Sequence, residues 1–236
     1  MAQKKLQRFA DFKTFPNSLE YPKDMKGNWN SFFKNDHPII LELACGRGEY
    51  TVGLARLFPD QNFIGVDVKA NRMYIGAKRA IQENLHNAGY LRTQIEMLPD
   101  YFEKDEVSGI WITFPDPQLR TSRAKKRLTH PRFLRLYQQV LKKDGIIHLK
   151  TDSPALYNFT RLVIEKYGLL LRDFSEDVYA SNNVNEVLSI KTHYESLDIA
   201  QSKKIFYLQF SLPSVIADKD QELQELLKQT EPSLAG

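Results

Sequence analysis

From residue 37 onward, short apolar runs alternate with longer stretches of helical period, and that alternation leaves few folds open. "IILEL", "NFIGVDV", "LRTQIE", "GIWITF" and "IIHLKT" read as five strands, the third weaker than the rest. "GEYTVGLARLF" reads as a helix with Val52, Leu54, Ala55 and Leu57 or Phe58 on its buried side. "ANRMYIGAKRAIQENLHNAG" reads as a second helix closed by Gly89 as its C-cap. "HPRFLRLYQQVLKKDG" has proline early and Gly145 at its end, a third helix, and "SPALYNFTRLVIEKYG" is a fourth. "LLLRDFSED", a loop with "SNN" and the final strand "KKIFYLQFSL" follow. Strands alternating with helices of this length need right-handed crossovers. The expected fold is α/β: a Rossmann-like doubly wound, mostly parallel sheet with helices on both faces.

At 236 residues the chain fits one domain with a core that needs no staple. Residues 1–36 read as an N-terminal arm packing by Phe9, Phe12, Phe15 and Trp29. Residues 37–212 are expected to form the main α/β domain, and 213–236 a polar tail, either a loose amphipathic helix or disordered. No apolar run approaches the roughly 18 residues of a membrane span, and the N-terminus has no apolar signal region. The single cysteine, Cys45, suits a reducing cytoplasm. The five histidines are scattered, so no metal is expected. The net charge of +4 says little about partners until its clustering is considered.

"LELACGRGEY" ends the first strand and opens a helix. Gly46 and Gly48 let the backbone turn tightly and approach a ligand closely. Asp67 ends the second strand, 21 residues after Gly46, where a carboxylate accepts hydrogen bonds from vicinal ribose hydroxyls. Two cofactor types use this geometry. A dinucleotide asks for G-x-G-x-x-G, yet no further glycine comes until Gly53, and Glu49 would repel a pyrophosphate. Glu42, just before the loop, suits a cationic ligand such as a sulfonium or amino group, which favours S-adenosylmethionine. Cys45 reads as a small semi-buried filler.

"GIWITFPDP" carries Asp116 out of the fourth strand between Pro115 and Pro117, which stiffen the backbone that aims it. Between Gln118 and Arg135 stand seven cations and no acid: Arg120, Arg123, Lys125, Lys126, Arg127, Arg132 and Arg135. A run of this kind beside a crevice suits nucleic-acid phosphates. Asp152 ends the fifth strand. In "IKTHYES", Glu195, or alternatively Asp152, is suited to accept from guanine N1–H and N2–H₂, and Tyr194 to stack on a base. Thr192 to Glu195 reads equally well as a plain polar loop.

"LELACGRGEY", "NFIGVDVKANRMY", "IWITFPDPQLRTSRAKKRLTHPRFL", "HLKTDSP" and "KTHYE" fall in order along nearly the whole chain. Together they resemble the bacterial tRNA (guanine-N7-)-methyltransferase family. That family uses S-adenosylmethionine to methylate a guanosine in the tRNA variable loop, usually position 46. The resemblance implies the class I methyltransferase fold and a cofactor pocket of Glu42, Gly46, Gly48, Asp67, Glu96 and Asp116, with Asp116 also catalytic. It implies a substrate site of Arg120, Asp152, Thr192, His193, Tyr194 and Glu195, with phosphate contacts from Arg123, Lys125, Lys126 and Arg127. The resemblance implies tRNA as the partner, with no membrane, and a monomer or homodimer. Five places depart from the family pattern. Ala44 stands where glycine is usual, Glu96 where aspartate is, Gln118 where tryptophan is, Arg120 where lysine is, and Ser122 where arginine is, with Arg123 following. Rival readings are a methyltransferase on another RNA or small-molecule acceptor, and a non-catalytic RNA-binding protein with a vestigial cofactor pocket.

Overall fold

Ile39–Leu43 pairs in parallel with Asn62–Asp67 on one side and Val107–Thr113 on the other. Leu41, Ile64, Val66, Ile110 and Ile112 are fully enclosed there. Each such side chain stabilises the fold by about 1.5–3 kcal/mol, so this apolar centre fixes the sheet. The computed structural model describes residues 2–180, 184–197, 199 and 201–230. In chain order it contains α1 (Ala2–Thr14), β1 (Ser18–Glu20), α2 (Trp29–Phe33), β2 (Ile39–Leu43), α3 (Glu49–Leu57), β3 (Asn62–Asp67), α4 (Ala70–Gln82) and β4 (Ala88–Arg92). There follow α5 (Leu98–Tyr101), β5 (Val107–Thr113), α6 (Pro131–Tyr137), β6 (Leu141–Thr151), α7 (Pro154–Lys166), β7 (Leu170–Ser175), α8 (Glu186–Ser189), β8 (Phe206–Ser211) and α9 (Asp220–Thr230).

The eight strands run in the order β1-β4-β3-β2-β5-β6-β8-β7. The first six are parallel; β8 is antiparallel to β6, and β7 to β8. This is the mostly parallel α/β sheet expected. From β2 the chain winds one way to β3 and β4; from β5 it winds the other way to β6. That reversal opens a crevice outside the carboxyl ends of β2 and β5, where open α/β sheets bind ligands.

Three boundaries differ from those expected. The second helix ends at Gln82, and Gly89 lies inside β4, which runs Ala88–Arg92 rather than along "LRTQIE". The segment after His130 stays helical only to Tyr137, and "LKKDG" belongs to β6. Phe133, Leu134, Tyr137, Val140 and Leu141 fit a helical period, but Leu141 pairs with Val107 of β5, and that tertiary pairing decides. The N-terminal segment folds onto the sheet. Phe12 and Trp29 are fully buried, Phe15 stacks on Tyr74 at 5.3 Å, and β1 extends the sheet beyond β4. Of the two readings of the tail, the helical one holds for α9, whose Leu223 reaches the core and whose Asp220 pairs with Arg135 at 2.8 Å. The "SNN" loop and residues 231–236 lie outside the described residues.

Candidate active site at the carboxyl ends of the strands

The turn from β2 into α3 is held in left-handed backbone, with φ of 55° at Ala44, 57° at Gly46 and 71° at Gly48. A Cβ on Gly48 would lie 2.6 Å from Tyr90 Cε1, so glycine is required there. Gly48 is also the N-cap of α3 and has no side chain to offer the first turn. Glu42 supplies that cap from the strand instead. Its Oε2 accepts from Thr51 N at 2.7 Å and from Thr51 Oγ1 at 2.5 Å, and its Oε1 from Thr113 Oγ1 at 2.8 Å. Sequence alone assigns Glu42 to a cationic ligand. In the structure it lies 2% exposed beneath the loop with both oxygens engaged. Burial raises its pKa to about 7 against the pull of the Thr51 and Thr113 hydrogen bonds. Cys45 is buried, and burial pushes its thiol up, as suits a filler rather than a nucleophile.

Asp67 stands across from this loop. Its Oδ2 accepts from Gly46 N at 3.0 Å and its Oδ1 from Lys69 N at 2.9 Å. A carboxylate offers about four acceptor positions, so room for a ligand's hydroxyls remains. Beside Asp67 opens a cavity of about 390 Å³ whose walls include Ala44, Val68, Thr93, Ile95, Glu96 and Phe133. Val68 is 42% exposed, and the buried Thr93 Oγ1 has no hydrogen-bond partner. Glu96 reaches Arg132 at 3.2 Å on the rim, an exposed pair of little energetic weight. Another cavity of about 390 Å³ lies over the middle of the sheet, walled by Ile40, Trp111, His148 and Gln209, and touches none of the expected site residues.

Asp116 leaves β5 exposed, with Oδ1 accepting from Gln118 N at 3.0 Å. The corner around it is strained: Phe114 has φ 46° and Gln118 φ 47°. Its clamp is Arg127, one of the expected phosphate contacts. Arg127 is 5% exposed, donates to the carbonyls of Pro117, Gln118 and Leu119, and lies 4.4 Å over the Phe159 ring. A planar fork of donors suits that task, and it turns the guanidinium away from solvent. Arg120, Arg123, Lys125 and Lys126 are exposed, and Lys126 borders the Asp67 cavity.

Asp152 follows β6, half-buried, one residue before the N-cap Ser153. Thr192 is buried and accepts from Glu195 N at 3.1 Å. His193 packs edge-on against Tyr194, 5.7 Å between centroids, and Arg72 lies 5.7 Å over the Tyr194 ring. A Cβ on Gly46 would meet Tyr194 Cε2 at 3.2 Å, so the ring closes on the glycine loop. Glu195, assigned from sequence to a guanine, is turned inward. It pairs with Lys150 Nζ at 2.9 Å and accepts from the Tyr179 hydroxyl. Sequence reasoning misses Lys150, Val68 and Thr93. Lys150 carries a visible signal, a cation in the apolar strand "IIHLKT".

This sheet order, with a glycine loop and acidic strand ends opening on one crevice, defines a class I methyltransferase. A family model described as "Putative methyltransferase" matches residues 36–208. The tRNA (guanine-N(7)-)-methyltransferase of Bacteroides thetaiotaomicron is 47% identical over 95% of this chain and 92% of its own length. That of Porphyromonas gingivalis is 48% identical over 85% and 86%, and that of Listeria monocytogenes 33% over 81% and 88%. The chain belongs to the tRNA (guanine-N7-)-methyltransferase family. Among solved structures, a 30S ribosomal A1408 methyltransferase from an uncultured bacterium shares the fold with a TM-score of 0.60 at 17% identity, covering 81% of this chain and 96% of that one.

Proposed function

We propose that the chain transfers the methyl group of S-adenosylmethionine to N7 of a guanosine in tRNA, in the variable loop. The observation that carries this reading is the similarity to named tRNA (guanine-N(7)-)-methyltransferases over nearly the whole chain, with the acidic crevice and cation cluster side by side.

The crevice suits the cofactor. Asp67 retains acceptor capacity for two ribose hydroxyls, Val68 and Ile95 offer apolar surface to an adenine, and the orphaned Thr93 Oγ1 awaits a partner. When bound, the cofactor supplies a methyl group on a cationic sulfur. Glu42 acts from beneath, by fixing the turn that carries Gly46. Guanine N7 has a lone pair and no proton, so an in-line displacement needs no general base. The protein's task is orientation, which supplies up to about 7–11 kcal/mol in favourable cases. The purine becomes cationic as the bond forms, and Asp116 and Asp152, at the ends of β5 and β6, stabilise that charge and orient the base. Tyr194 is poised to stack on a splayed-out guanine. Arg120, Arg123, Lys125 and Lys126 grip phosphates. A reducing cytoplasm, where tRNA resides, suits the free Cys45.

The test is incubation of the purified chain with methyl-labelled S-adenosylmethionine and unmodified tRNA, with nucleoside analysis of the product. Label in 7-methylguanosine is the expected result. Cofactor binding without transfer to tRNA would favour a methyltransferase acting on another acceptor, and loss of cofactor binding as well would favour the RNA-binding alternative with its vestigial pocket.

A further inference from the structure

We propose that Lys150 is a positioning residue for this methyl transfer. Through its ammonium it sets the pose of the segment that bears Thr192, Tyr194 and Glu195 against the glycine loop and the Asp116 corner. The inference rests on the proposed function and adds a residue that no resemblance assigned.

The Lys150 side chain is fully buried at the end of β6. Its three ammonium protons meet three acceptors: Leu188 O at 2.7 Å, Ile190 O at 3.0 Å and Glu195 Oε2 at 2.9 Å. Around them stand three rings, with Nζ 5.5 Å from the Tyr50 centroid and 5.7 Å from those of Phe114 and Tyr179. Tyr50 lies in α3, directly behind the glycine loop. Phe114 begins the strained corner that presents Asp116, and its N–H donates to Lys150 O at 2.8 Å. Tyr179 donates its hydroxyl to the other oxygen of Glu195. One side chain therefore meets α3 behind the glycine loop, the Phe114 corner and the segment that carries Glu195, while it does not line the Asp67 cavity.

A buried ion pair is poor evidence of stabilisation, because desolvation of both charges offsets their attraction. Burial indeed lowers the Lys150 pKa, against the pull of Glu195. An apolar residue would fill the same space. It would not specify which carbonyls of the 184–197 segment face inward, nor where Glu195 sits. Three donors with acceptors on that segment do specify this. They hold the backbone that closes Tyr194 on Gly46.

The variant Lys150→Met keeps the bulk and removes the donors. Three readouts are compared with wild type: cofactor affinity by titration calorimetry, kcat on tRNA, and backbone hydrogen exchange of the cofactor-free protein. The expected result is cofactor affinity within about threefold and kcat lower on the order of 10²-fold, because misplacement by about 1 Å has that effect. Exchange should quicken across the segment that contains residues 184–197 and stay unchanged in β2 and β3. Wild-type kcat in a folded Lys150→Met would overturn the proposal, as would equal loss of cofactor affinity and kcat. If Lys150→Met does not fold, Tyr179→Phe decides: a fall in kcat with cofactor affinity kept supports the proposal, and an unchanged kcat overturns it. Wild type that transfers no methyl to tRNA while exchange still quickens in the variant would defeat the proposed function but not the role of Lys150 in the pose.

Discussion

Gly46 and Asp67, 21 residues apart in sequence, meet at 3.0 Å, where the Gly46 N–H donates to Asp67 Oδ2. The bond ties the loop after β2 to the end of β3, so the carboxylate is aimed before any ligand arrives. Replacing Asp67 with alanine should weaken S-adenosylmethionine binding about 10- to 100-fold, the usual weight of charge-assisted hydrogen bonds. The KM for tRNA should change little. Calorimetric titration and steady-state kinetics separate the two.

Glu42 should leave a signature in stability against pH. Its folded pKa of about 7 lies above the ordinary 4.5, so the folded state binds the proton more tightly than the unfolded chain. Its contribution is fully present below pH 4.5 and is lost as pH rises through 7. Urea unfolding at several pH values should show the wild type losing up to about 3 kcal/mol across that window relative to Glu42→Gln, which cannot titrate. Parallel curves for the two proteins would contradict the burial argument.

Two kinds of arginine stand in the basic segment and should behave differently. Arg127→Ala removes donors from three loop carbonyls and a ring contact, and should destabilise the fold by about 2–4 kcal/mol while loosening the Asp116 corner. Charge reversal at Arg123, Lys125 and Lys126 should leave the melting temperature near wild type and raise the KM for tRNA. It should also reduce the salt dependence of binding, by about one for each phosphate no longer neutralised. A thermal melt and a salt titration distinguish them.

Asp116→Ala should retain the fold, since Asp116 is exposed and its carboxylate accepts only locally, from Gln118 N, among the described residues. Turnover on tRNA should fall to background in a single-turnover assay. Unchanged turnover would remove Asp116 from the mechanism.

Much of this arrangement is legible in the order of the amino acids. β2, β3 and β5 stand out because they are short, apolar and bounded by turn residues, and Gly46, Gly48 and Asp67 follow from where such strands end. β4 and the start of β6 do not stand out, because periodicity around Ala88–Arg92 and Leu141 is ambiguous until the pairing with β3 and β5 is known. The sequence marks Glu42 and Arg127 as functional residues, yet their partners, Thr51, Thr113 and the 117–119 carbonyls, are set by tertiary folding. The inward turn of Glu195 is hidden for the same reason, since its partner Lys150 lies 45 residues away.

The most direct test of the account is to map the methyl group on the product. tRNA methylated by the purified chain is reduced and cleaved with aniline, which cuts at 7-methylguanosine. One new scission is expected, at a guanosine in the variable loop, absent with Asp116→Ala. Scission elsewhere, or methylated tRNA that resists cleavage, would contradict it.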